Sequence, residues 1–118
     1  CFLRADQALP MMYMDDAVRG TLELMAASAD RIQIRTSYNV GAMSFTPSEV
    51  ANGIQQHLPN FQVNYAPDHR QAIADSWPES IDDTAARSDW GWEPRVLLPE
   101  MTSIMLDAIG KKTQSAVH

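Results

Sequence analysis

The chain has 118 residues, 45% of them hydrophobic, and a formal net charge of −6. That length suits one domain and the apolar share can fill an ordinary core. The basic residues are scattered, with Lys111 and Lys112 as the only adjacent pair, so no stripe exists to track phosphates and nucleic acid is not an expected partner.

No run of about 18 apolar residues occurs, so no membrane-spanning helix is expected. The opening residues, CFLRADQALP, read as neither a signal peptide nor an Arg-rich transit peptide. Cys1 is the one cysteine. An internal disulfide is therefore excluded, which suits a reducing compartment.

In chain order the elements read strand, helix, strand, helix, strand, helix, helix. LPMMYM (9–14) is short, apolar and extended, with Pro10 at its entry. Asp15 and Asp16 offer N-cap oxygens to a helix over 16–27, where Val18, Thr21, Leu22 and Met25 recur at helical spacing. RIQIRTSYNVG (31–41) alternates through Ile32 and Ile34 and becomes apolar at Tyr38 and Val40. It reads as a strand with a buried end. TPSE (46–49) is a capping box: Thr46 caps, Pro47 takes the first helical position and Glu49 reaches back. The helix it opens stops before Pro59.

FQVNYA (61–66) places Phe61, Val63 and Tyr65 on one face and reads as a strand at a sheet edge. Residues 67–80 show no period and are expected to be irregular. DDTAARSDW (82–90) reads as a short helix capped by one of its aspartates. Gly91 then supplies a left-handed turn, Trp90 and Trp92 fold back on it, and Pro94 keeps the helix from resuming. The last helix spans 98–112. Pro99 opens it, Met101, Ile104, Met105, Ala108 and Ile109 line a buried face, and Gly110 closes it. Lys111 and Lys112 would favour its C-terminal dipole, and residues 111–118 would form a frayed tail. The seven methionines do not form one stripe and are expected in the core.

Few residues carry visible chemistry. His57, His69 and His118 have no partner at metal-ligand spacing, so no metal site is expected. The pairs Asp15–Asp16 and Asp82–Asp83 each stand at a helix start, where capping accounts for them. The five glycines are too dispersed for a phosphate loop. Tyr13, Tyr38 and Tyr65 are followed four residues later by Ala17, Ala42 and His69, so a tyrosine base helped by a lysine one turn on is absent. RQAIADSWP (70–78) gathers Arg70, Asp75, Ser76 and Trp77 in one stretch. It could line a pocket, or it could pack Trp77 into the core with Asp75 satisfied locally; the residues leave both open.

The segments LPMMYMDDAVRGTLELM, YNVGAMSFTPSEVA, RQAIADSWP and DDTAARSDWGWEP, in that order, resemble the C-terminal part of an extended short-chain dehydrogenase/reductase. Within that superfamily the chain is most similar to NAD-dependent L-threonine 3-dehydrogenases of the epimerase-like type. The resemblance covers residues 1 to about 110. It implies an α/β fold: a late strand of a Rossmann-type sheet at 31–41, with a small mixed α/β substrate domain. It makes Trp90 and Trp92 structural. It also places the dinucleotide fingerprint, the active-site Ser/Thr and the Tyr-x-x-x-Lys upstream of Cys1, so NAD would be held mainly by that upstream part.

The activity implied is oxidation of the C3 hydroxyl of L-threonine to 2-amino-3-oxobutyrate, with this chain supplying the substrate-side wall. Trp77 is the expected substrate contact, with Ser76 and Asp75 as neighbours. Arg70 stands where epimerases use a diphosphate-binding arginine, and here it either organises the pocket or is structural. Leu9 and Pro10 stand near the place of an Arg-Asp pair that nucleotide-sugar epimerases use, which favours an amino-acid substrate. The implied partners are the upstream part of the same enzyme and a second copy, as a homodimer. The implied compartment is the mitochondrial matrix in a eukaryote and the cytoplasm otherwise. Two alternatives are an inert truncated module that folds or dimerises alone, and the substrate domain of a nucleotide-sugar epimerase.

Overall fold

The computed structural model describes residues 1–116, with side chains through residue 114. Two short strands and five helices follow in the order β1 (Leu9–Met11), α1 (Met14–Ala26), β2 (Met43–Phe45), α2 (Pro47–His57), α3 (His69–Asp75), α4 (Thr84–Trp90) and α5 (Leu98–Ala116). β1 and β2 pair antiparallel, with Leu9 opposite Phe45 and Met11 opposite Met43. β2 had no counterpart among the expected strands, because three residues are too few to show alternation.

The core is built around the Trp-Gly-Trp turn. Gly91 takes φ 78°, the left-handed conformation that ends α4, and the turn brings Trp90 and Trp92 into contact with centroids 6.0 Å apart. Trp92 is 1% exposed, and its indole Nε1 donates to the Gly41 carbonyl at 2.7 Å. Tyr38 meets Trp90 edge to face, and its hydroxyl donates to Asp89 at 2.6 Å. The tryptophans are structural, as expected.

α1 meets this turn through a polar residue and a glycine. A Cβ on Gly20 would lie 2.6 Å from the Trp92 ring, so the bare backbone lets the helix approach. Asp16 does not cap α1, and the expectation that it would is corrected. The N-cap is Tyr13, without a side-chain bond. Asp16 is 2% exposed, lies inside the helix and accepts from the backbone N–H groups of Arg95 and Val96 at 2.8 and 2.9 Å. Arg19 bridges to Asp16 at 2.9 Å and to Glu23 at 2.7 Å, and it also donates to the Glu93 carbonyl. Burial pushes the Asp16 carboxyl up, but the hydrogen bonds from Val96, Arg19 and Arg95 outweigh it and hold the group below its ordinary value.

The capping box at Thr46 forms as read: Thr46 Oγ1 accepts from Glu49 N and Glu49 Oε2 accepts from Thr46 N. α2 packs against α5, with Ala51 buried on one side and Thr102 on the other.

Several expectations are corrected. Residues 61–66 are not a strand. Phe61, Val63 and Tyr65 do share a half-buried face, and the segment is joined to the first residues by bonds from the Cys1 amino group to Asn64 O, from Ala66 N to Cys1 O and from Asp68 N to Phe2 O, without forming a strand. Residues 69–75 are helical rather than irregular. α5 does not stop at Gly110, which has open space around it, but runs to Ala116; His118 lies outside the described residues. Ile104, Met105 and Ile109 of α5 are exposed, as are Met11, Met14 and Met25. The methionines are therefore not all core residues. Residues 31–41 form no ladder with any described strand. Tyr38 instead ties the segment down, its hydroxyl accepting from Gln33 N and Ile34 N.

Two outcomes follow for stability. Gly20→Ala should destabilise by about 1–3 kcal/mol through overpacking against Trp92, measured by urea unfolding; stabilisation from the gain in helix propensity would contradict the contact. Asp16→Asn should cost roughly 3 kcal/mol, because Arg19 and two backbone N–H groups lose a charged acceptor. The native carboxyl sits below its unfolded value of about 3.9. Its contribution is then full above that value and fades as pH falls through the native one. The gap between wild type and Asp16→Asn should therefore be flat above about pH 5 and narrow towards pH 3.

Candidate functional site

The stretch that gathered Arg70, Asp75, Ser76 and Trp77 folds into α3 and the turn after it. Asp68 caps the helix: its carboxylate accepts from Arg70 N at 2.9 Å and from the Arg70 guanidinium through both oxygens. That guanidinium holds the Asp68 carboxyl down at about 2. Arg70 also lies over the Phe2 ring, 3.4 Å from its centroid. Its charge and its flat face are both engaged within the chain.

Asp75, at the end of α3, accepts from Gln71 Nε2 at 2.8 Å and pairs with Arg4 at 3.1 Å. The Gln71 hydrogen bond, with Arg4, keeps its carboxyl below the ordinary value against a partial burial cost. Ser76 turns back, its hydroxyl donating to the Ile73 carbonyl at 2.7 Å. Trp77 behaves differently. It is 55% exposed, and its indole makes no hydrogen bond or ring contact among the described residues. The reading in which Trp77 packs into the core is therefore set aside. The structure brings the four residues onto one short helix and its turn, and only Trp77 presents an uncommitted side chain.

The chain after Trp77 is pinned along β2. The Ser44 hydroxyl donates to the Glu79 carbonyl, and Asp83 accepts from Gly41 N at 3.1 Å and from Arg87 Nε at 2.8 Å. The Arg87 bond, opposed by burial and aided by Gly41, holds the Asp83 carboxyl low. Asp82 is the aspartate that accepts from Thr84 N at the start of α4. Between β1, Gly41 and this segment lies a cleft of about 220 Å³, bordered by Met12, Val40, Ser44, Ile81, Asp83 and Arg87.

Arg4, Gln7 and Gln71 were not singled out by the sequence. Gln71 and Gln7 are buried but stand 64 residues apart, and no local pattern joins them. Among the described residues no group of His, Cys, Asp or Glu could hold a metal ion, and no helix is long and apolar enough to cross a membrane.

No protein-family model matches the chain. Individual proteins do. Bovine mitochondrial L-threonine 3-dehydrogenase is 50% identical over 117 residues, which is 98% of this chain and 31% of that protein. An uncharacterised epimerase/dehydratase of Staphylococcus haemolyticus is 44% identical over 97% of this chain and 36% of its own length. Among solved structures, the holo form of a GalE-like L-threonine dehydrogenase from Cupriavidus necator superposes with a TM-score of 0.89 at 55% identity, over 92% of this chain and 35% of that one. The L-threonine dehydrogenase of Phytophthora infestans gives 0.91 at 46% identity, over 95% and 36%. A metagenomic L-threonine 3-dehydrogenase described as monomeric gives 0.85 at 47% identity, over 92% of this chain and 35% of its own. The chain thus spans about a third of the length of the relatives it matches.

The α/β fold and these matches are consistent with the extended short-chain dehydrogenases/reductases. Within that class it matches the C-terminal portion of the epimerase-like L-threonine 3-dehydrogenases.

Proposed function

We propose that this chain is the substrate-side portion of an NAD-dependent L-threonine 3-dehydrogenase, and that Trp77 closes over the amino acid. The observation that carries the reading is the exposed indole at the end of a helix whose Arg70, Gln71 and Asp75 are engaged, as is Ser76 after it, in a chain 55% identical to a threonine dehydrogenase. An exposed flat aromatic beside a pinned turn can give up its hydration on closing over a small substrate and exclude solvent from the reacting carbon.

The five glycines form no phosphate cradle, so the dinucleotide would be held mainly by the remainder of the enzyme. When NAD+ is bound by the remainder of the enzyme, it supplies the acceptor for the hydride from the C3 hydroxyl carbon. This chain's share is to bind, orient and shield. Asp75, Ser76 and Arg70 are committed to Arg4, Gln71, Ile73, Asp68 and Phe2, so their part is to shape the wall around Trp77. The nucleotide-sugar reading needs an arginine free for a diphosphate, and Arg70 is held by Asp68.

The remainder of the same enzyme has a surface to meet. Met14, Val18, Leu22 and Met25 run along the exposed face of α1. An apolar stripe of that length requires cover. One similar protein is described as monomeric; a homodimer is the arrangement that the family resemblance implies for this chain. The compartment follows the source, mitochondrial as in the bovine relative's name or cytoplasmic.

Two measurements check this reading. In the intact enzyme, Trp77→Ala should raise KM for L-threonine by about tenfold, the loss of one aromatic contact, with KM for NAD+ unchanged. An unchanged KM for threonine would remove Trp77 from the site. Leu22→Asp should lower the melting temperature of the intact enzyme by several degrees, about what 2–3 kcal/mol implies. No shift would show that this face of α1 stays in water.

A further inference from the structure

The exposed indole of Trp77 hangs on a short helix with a thin apolar footing. α3 has seven residues, and only Gln71 and Ala74 among them are buried, while Ile73 is 55% exposed. Trp77 continues the last turn, its backbone N donating to the Ala74 carbonyl at 3.1 Å. Wherever α3 sits and however it is rotated, the indole follows.

One side chain fixes that rotation. Gln71 Oε1 accepts from Arg4 N at 2.7 Å. Gln71 Nε2 donates to Gln7 Oε1 at 2.6 Å and to Asp75 Oδ1 at 2.8 Å. Arg4 Nη2 then reaches both Gln7 Oε1 and Asp75 Oδ1 at 3.1 Å. Gln7 and Gln71 are 6% and 8% exposed, so water cannot replace the bonds they make to each other. A leucine at 71 would match the bulk, leave Arg4 N–H without its partner and leave Gln7 Oε1 with Arg4 Nη2 alone. A buried amide with three bonds is a costly way to fill that space unless its direction matters.

We propose that the buried Gln7–Gln71 amide pair is a positioning device that sets the reach of Trp77 over the substrate. The inference rests on the reading of Trp77 as the substrate contact and deepens it. Gln71 and Gln7 touch no substrate; they act through the angle of α3.

The test is steady-state kinetics of the intact enzyme with L-threonine and NAD+ for five variants: Trp77→Ala, Gln71→Leu, the double variant, Gln7→Leu and Gln7→Glu. Gln71→Leu should raise KM for threonine by about tenfold, as two or three lost hydrogen bonds imply, and leave KM for NAD+ and kcat within about twofold. The double variant should be no worse than Trp77→Ala alone, because a residue acting through the indole has nothing to act on once it is gone. Gln7→Glu keeps an acceptor for Gln71 and Arg4 and should restore the KM that Gln7→Leu loses.

Multiplying effects in the double variant would overturn the proposal, as would parallel losses in both KM values and kcat, or Gln7→Glu behaving as Gln7→Leu. If Trp77→Ala raises KM and Gln71→Leu does not, the positioning role alone falls. If Trp77→Ala changes nothing, the functional reading falls and takes this inference with it. Should Gln71→Leu fail to fold, the Gln7→Leu and Gln7→Glu pair decides the same question.

Discussion

A buried carboxylate at the middle of the molecule organises everything around it. Asp16 sits inside α1 and accepts from the backbone of Arg95 and Val96, residues that follow the Trp-Gly-Trp turn. Its partner Arg19 covers the Trp92 ring at 5.0 Å and reaches the Glu93 carbonyl. Gly20, one residue on, leaves the gap that the same ring fills. Three successive features of one helix turn thus grip one loop. A charge in that place is tolerable only because every element of the grip is present together: alone, burial would push the carboxyl towards its neutral form.

From that grip the order of the rest follows. The held Trp92 fixes Gly41 through its indole N–H. Gly41 in turn donates to Asp83, which anchors the start of α4 through Arg87. The segment between α3 and α4 is therefore tied at its far end to the same core that holds α1. At its near end it is tied by Gln71 and Arg4. Trp77 lies between two fixed points and is exposed. Rigid support under an exposed aromatic is the arrangement that binding a small polar substrate asks of a wall.

Much of this was legible where the physics is local. The capping box at Thr46 and the left-handed turn at Gly91 rest on neighbours within six residues, and both form. α3 was missed because its buried residues, Gln71 and Ala74, make a single helical step with no second turn to show a period. The role of Asp16 was misread for a related reason. An aspartate near a helix start is most simply a cap, and its true partners lie 79 and 80 residues away. The exposed faces of α1 and α5 were misjudged because helical spacing tells which residues share a face and not what lies opposite it. The chain matches only about a third of its relatives' length, and periodicity alone cannot say which stripes are covered within that third. Trp77 was legible as a candidate through its motif. The Gln7–Gln71 pair beneath it was not, since two glutamines 64 residues apart leave no trace in sequence order.

The central claim is that Trp77 meets the substrate from a wall this chain builds. The most direct measurement is a crystal structure of the intact enzyme with L-threonine and NAD+ bound. The account predicts the Trp77 indole within about 4 Å of the amino acid, with Gln71 still bonded to Gln7, Asp75 and the Arg4 backbone. Threonine seated elsewhere, with the Trp77 indole left in solvent or buried against another part of the enzyme, would contradict it.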